Sequence, residues 1–162
     1  MGSARASYYI NKSWSVNVGT DYLSGNDKSD GTYKAFNPLY GTHHKFYGTM
    51  DYFYASDFIG GYSPGLSDIQ IGVGCKVSSS VSMEMNYHYF ATAVKLENQE
   101  RSLGSEIDYL LDWKIMKDVS LSLGYSVMFG TSTMDVVKGG NHNSWQDWGW
   151  VSLNINPQIF CK

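Results

Sequence analysis

DIQIGVGCKV, the stretch from Asp68 to Val77, decides the fold. Ile69, Ile71, Val73, Cys75 and Val77 share one parity; Asp68, Gln70, Gly72, Gly74 and Lys76 share the other. Successive side chains of a β-strand point to opposite faces, so this strand has one apolar wall and one wet wall. The pattern recurs. Val81, Met83, Met85, Tyr87 and Tyr89 alternate with Ser82, Glu84, Asn86 and His88. Ile107, Tyr109, Leu111, Trp113 and Ile115 alternate with Glu106, Asp108, Asp112 and Lys114. Val119, Leu121, Leu123, Tyr125, Val127 and Phe129 alternate with Ser120, Ser122, Gly124 and Ser126. Repeated dyads of about ten residues, joined by alternating tight and wide connections, are the signature of a transmembrane β-barrel.

Strand length points the same way. Strands of globular proteins usually run about five or six residues. A strand of about eleven, rising about 3.3 Å per residue and tilted by about 40°, covers the roughly 25 Å apolar band of an outer-membrane barrel. The chain has no run of eighteen apolar residues, so no transmembrane helix is expected. Its low mean hydropathy follows from the polar half of every strand.

The 162 residues make one β-barrel region, 1–162, and the net charge of −3 with no basic patch argues against nucleic acid. Aromatics reach 15%, with 13 Tyr and 5 Trp. Trp14, Tyr22, Tyr87, Tyr89, Trp113, Tyr125 and Phe129 all fall on apolar faces, as the girdles at two membrane interfaces would. Cys75 lies on an apolar face and Cys161 beyond the last strand, so no disulfide joins them and no metal-binding spacing exists. The start, MGSARASYYI, has no apolar stretch of signal-peptide length. An outer-membrane protein must be exported, so this reading expects chain upstream of Met1.

Seven strands are expected, at 3–10, 13–23, 66–77, 80–91, 103–116, 119–129 and 146–156. Asn11-Lys12, Ser78-Ser79 and Lys117-Asp118 are tight turns; 24–65, 92–102 and 130–145 are wide. In outer-membrane barrels tight turns are periplasmic and long loops extracellular. Seven is odd and single-chain bacterial barrels are even, so at least one ascending strand is expected before Met1. Within 24–65, KFYGTMDYFYA (Lys45 to Ala55) is expected as a helix or plug-like turn inside an extracellular loop. One extra strand there would invert the parity of every later turn.

FNPLYGTHHKFYGTMDYFY (Phe36 to Tyr54), GLSDIQIG (Gly65 to Gly72), NYHYF (Asn86 to Phe90), LGSEIDYLL (Leu103 to Leu111) and QDWGWVSLNINP (Gln146 to Pro157) resemble the C-terminal part of alginate-export outer-membrane porins. The resemblance implies a closed antiparallel barrel of about 16 to 18 strands, of which this chain is the last part. It implies passive passage of a sugar, oligosaccharide or polysaccharide, often anionic, through a lumen lined with arginine and lysine. This chain departs from that lining. The inward parity carries Asp21, Asp68, Glu84, Glu106, Asp108 and Asp112, with His88, against Arg5, Lys76 and Lys114. These ten are the expected pore-lining residues, and on charge alone they favour cations or neutral sugars over polyanions.

Chemistry has few candidates. Closing the 91–103 hairpin sets His88 opposite Glu106, a pair expected to make a lumen hydrogen bond or ion pair. No serine sits in a nucleophile motif. His43-His44 and His142 are loop histidines without a third metal ligand in reach, and Gly139-Gly140 is a turn that no helix signature follows. The expected protein is an outer-membrane channel of a Gram-negative bacterium, not an enzyme, and it needs no cofactor. Its partners would be lipid, the barrel-assembly machinery and a small solute or polysaccharide. The competing readings are a small structural or adhesion barrel, and an outer-membrane hydrolase using His88.

Overall fold

The computed structural model describes residues 1–26, 32–37, 46–53 and 58–157. Seven strands form one sheet in chain order: β1 (Gly2–Tyr9), β2 (Trp14–Leu23), β3 (Leu66–Lys76), β4 (Val81–Ala91), β5 (Ser102–Met116), β6 (Val119–Gly130) and β7 (Gln146–Ile155). Every neighbouring pair is antiparallel. The strand ends fall within one residue of those expected from the alternation. His43, His44 and Cys161 lie outside the described residues.

The sheet is open, so this chain by itself is not a closed barrel. The reason is geometric. In an antiparallel sheet of seven, β1 and β7 run in the same direction, so they cannot close with an antiparallel ladder. Both outer edges are left with unpaired backbone groups.

Register carries the alternation across the whole sheet. Trp14, Cys75, Met83, Leu111, Leu123 and Val151 form one cross-strand row. Val16, Val73, Met85, Tyr109 and Tyr125 form the next, and Thr20, Ile69, Tyr89, Ser105 and Phe129 a third. Directly paired residues share a face, so this dry face collects the apolar half of every strand. It is unpacked: Ile71 is 49% exposed, Met85 53% and Leu153 57%.

Local chemistry sets the hairpins. Asn11 Oδ1 accepts from the Ser13 and Trp14 N–H groups at 2.8 and 2.9 Å, and Ser78 Oγ accepts from Ser80 and Val81, both at 3.1 Å. Such side-chain mimics of backbone turns let two strands reverse in a few residues. At the other end the connections are long. β2 pairs directly with β3, beginning at Leu23 and Leu66, so no described strand intervenes between them. The stretch 46–53 is a non-helical turn, and a single 3-10 turn follows at Ile59–Gly61. The connection after β6 holds a helix that the alternation did not announce, α1 (Ser132–Lys138). Thr131 caps it by accepting from the Met134 N–H, and Gly139, at φ 78°, ends it. Seven residues are too few to display a helical period.

Loop and strand ends share a small apolar core. Leu23, Leu66, Phe90, Leu103 and Met128 pack with Tyr47, Phe53, Leu96, Met134 and Val137. Gly65, at φ 64°, closes the neck of the 24–65 loop, where a side chain would run into the Leu23 carbonyl and the Gly25 backbone nitrogen. A non-glycine residue held in that region costs about 1–3 kcal/mol. Gly65→Ala is therefore expected to lower stability by at least that range, read as a shift in urea midpoint at unchanged slope.

Candidate functional site

Two adjacent rows on the wet face build the site. One runs Gly19, Gln70, His88, Glu106, Met128, Gln146; the next runs Asn17, Gly72, Asn86, Asp108, Ser126, Trp148. The strand pleat brings them together near the loop end of the sheet.

Most carboxylate oxygens here have a partner, although among the described residues the buried Asp21 Oδ1 and Glu106 Oε2 have none. Arg5 Nη2 donates to Asp21 Oδ2 at 2.5 Å and Nη1 to Ser3 Oγ at 2.8 Å. His88 Nδ1 faces both oxygens of Asp68 at 3.0 Å, and Nε2 lies 3.6 Å from Asp108 Oδ2. The His88 ring stacks on Phe90 with centroids 5.5 Å apart. Asp68 and Glu106 are fully buried, and Asp21, His88 and Asp108 nearly so.

What covers this group is the turn at 46–53. Glu106 Oε1 accepts from the Thr49 and Met50 N–H groups at 2.7 and 2.9 Å. Thr49 Oγ1 donates to Asp108 Oδ1 at 2.6 Å and also meets Ser126 Oγ, which itself donates to Asp108 at 2.6 Å. Tyr47, Gly48 and Asp51 adopt positive φ, and Gly48 sits so close to the Glu106 carboxylate that a side chain has no room there. Consecutive amides in such a turn form a concavity for a negative group. The Phe53 ring packs on Phe90 at 4.5 Å, and the Tyr52 hydroxyl donates to Gln146 Oε1 at 2.8 Å. Burial pushes the Tyr52 phenol up, and nearby Glu106 adds to the shift. The expected plug-like turn in 24–65 is thus present as a turn rather than a helix, and it docks on the wet face.

Of the ten residues expected to line a pore, all lie on this face, but the structure divides them. Asp21, Asp68, His88, Glu106 and Asp108 are buried at the loop end. Arg5, Lys76 and Lys114 are exposed, and Glu84 and Asp112 are half-buried, held by Asn86 at 3.0 Å and Ser122 at 2.5 Å. His88 and Glu106 are register partners as expected. Their side chains do not pair, however, and this corrects the expectation of a His88–Glu106 contact: His88 turns to Asp68 and Asp108, and Glu106 is taken by the turn's amides. No described serine or threonine hydroxyl bonds to His88. Nothing in KFYGTMDYFYA singles out Thr49 or Met50 as partners of the wet face, and the inward placement of Trp148 and Trp150 is seen only in the register.

The lower wall is flat. Arg5 and Gln70 side chains lie over Gly19, Asn17 and Asn86 over Gly72, Ser15 Oγ over Gly74, and the Trp150 indole over Gly124. His142 pairs with Asp135 at 2.5 Å in the β6–β7 connection. Among the described residues no group of three or more His, Cys, Asp or Glu side chains is arranged to hold a metal ion.

These features define a class: an antiparallel sheet of long strands, bare and apolar on one side, polar and capped by its own loop on the other. No protein-family model matches the chain, and no curated protein matches it.

Proposed function

We propose that this sheet is a sector of an outer-membrane β-barrel channel, with residues 46–53 narrowing its lumen. The observation that carries the reading is the dry face. An apolar surface spread over six cross-strand rows, interrupted only toward the loop end by Thr20, Ser67, Ser105 and Asp147, exceeds the few hundred Å² a soluble monomer exposes, and lipid is the solvent that suits it. Strands of eight to fifteen residues suit the span of a bilayer. Trp14 and Trp113 near the turn end, with Tyr22, Tyr89 and Phe129 near the loop end, suit interfacial girdles. No described helix is long and apolar enough to cross a membrane, so crossing would fall to the strands.

In a bilayer every backbone group needs a partner. The free edges of β1 and β7 would therefore pair with further strands, and antiparallel closure takes an odd number of them, whatever chain supplies them. The resemblance to alginate-export porins agrees in architecture. The charge pattern favours a different solute. With five titratable groups buried at the loop end, the solvent-facing lining reduces to Arg5 (itself paired with Asp21), Lys76 and Lys114 against Glu84 and Asp112. Such a wall neither attracts nor repels a polyanion strongly and passes small neutral or weakly charged solutes.

Orientation is testable in cells. In a background with Cys75 and Cys161 replaced by serine, cysteines at Glu97 and Asn143 are expected to react with an impermeant maleimide on intact cells. Cysteines at Ser79 and Lys117 should react only after the outer membrane is opened. Equal labelling of all four on intact cells would remove the membrane-spanning reading.

A further inference from the structure

Beneath the 46–49 turn, the wet face keeps an open-sided recess of about 370 Å³. That is within the range of about 300–1,000 Å³ typical of small-molecule sites. Six side chains matter: Arg5, Phe46, Gln70, Asn86, His88 and Asp108. We propose that this recess binds one or two rings of a neutral sugar as it passes the constriction, an inference that rests on the channel reading above.

Several polar groups lining the recess have hydrogen-bonding capacity left over. The Gln70 amide has no partner among the described residues, so one acceptor and two donors face the recess. Asn86 uses one N–H on Glu84 Oε1, leaving a second N–H and its carbonyl. Asp108 spends Oδ1 on Thr49 and Ser126, while Oδ2 stands 3.6 Å from the His88 ring, beyond a hydrogen bond. Donors and acceptors thus alternate over two neighbouring rows. A sugar hydroxyl both donates and accepts, and a ring bearing several of them satisfies such a set as neither an ion nor an apolar molecule does. The Phe46 ring supplies an apolar wall for the C–H face of a sugar.

Charge narrows the class further. Arg5, half exposed, stands on one side, and the carboxylate of Asp108 on the other. An anionic solute meets the Asp108 oxygen and a cationic one meets the guanidinium. A neutral polyhydroxylated molecule meets no opposing charge. Gly19 and Gly72 keep the floor low, because any side chain there would displace Gln70 or Asn86.

Equilibrium dialysis of the whole protein, folded in detergent micelles, against labelled maltose, glucuronate and choline tests this. Saturable maltose binding is expected, with glucuronate and choline weaker by about tenfold or more. Gln70→Leu and Asn86→Leu are each expected to weaken maltose by about tenfold. Gln70→Glu, which keeps the shape and adds a charge, guards against a folding defect and should weaken it too. Absence of saturable maltose binding, equal binding of all three probes, or indifference to the substitutions overturns the proposal. Planar-bilayer recordings separate the two readings. Conductance without maltose binding defeats the recess alone, whereas maltose binding without conductance upholds the recess and defeats the channel.

Discussion

Arginine at Ile71 or Leu111 is expected to cost about 2–4 kcal/mol of folding free energy in lipid vesicles, the penalty for a charge near the bilayer midplane on a barrel's outer face. Ile71 lies in a middle row of the dry face, and Leu111 lies one row inward of Trp113. They sit on different strands, β3 and β5, so the double variant should lose nearly the sum. Arginine at Ser122 or Ser152, on the opposite face, should cost little, since its charged head stays in water. Urea titrations of the protein refolded into vesicles read both sets. Equal losses on the two faces would show that the dry face does not meet lipid, and the channel proposal would fall with it.

Glu106→Ala is expected to open the constriction. The turn at 46–53 holds three positive-φ residues, Tyr47, Gly48 and Asp51, in a conformation that costs about 1–3 kcal/mol for a residue other than glycine. Its compensation includes two amide bonds to one carboxylate. Removing that carboxylate strands the Thr49 and Met50 N–H groups, at about 1–3 kcal/mol for each one left buried. The turn should leave the wall and single-channel conductance should rise severalfold. Glu84→Ala, which touches no part of the turn, should leave it unchanged. A Thr49→Cys, Ser126→Cys pair, oxidised, should hold the low conductance until reduced. Unchanged conductance on both reduction and Glu106→Ala would mean that the turn does not narrow the path. Neutralising Glu106 and Asp108 should therefore act first on pore size, and only secondarily on the cation preference that counting charges along β5 suggests.

Strand identity, register parity and the two faces were legible because each depends on a period of two that the sequence displays in plain letters. Ile71, Met85, Leu111 and Leu153 share a face for that reason alone. The docked turn was legible only in outline. No period runs through 24–65, and the bonds from Thr49 to Asp108 and Ser126 span 59 and 77 positions. One signal was available. Leu23, Leu66, Phe90 and Met128 carry apolar side chains at wet parity, all at the loop ends of their strands. Four greasy residues on a polar wall need a cover, and only the long connections could supply it. His88 misled because register predicts which residues lie opposite, not which way a ring rotates when three carboxylates surround it.

Bare glycines on the wet wall carry a consequence for transport rates. A molecule drifting along a surface is slowed by its corrugation, and dwell time grows about tenfold for every 1.4 kcal/mol of trap depth. At Gly74 and Gly124, on the tight-turn side of the recess, the neighbouring side chains lie down across the gap instead of projecting. Under the channel reading, that stretch offers shallow traps and near-aqueous mobility. Transit is then timed by a single stop beneath the turn, so throughput should saturate with one characteristic concentration rather than a spread of them.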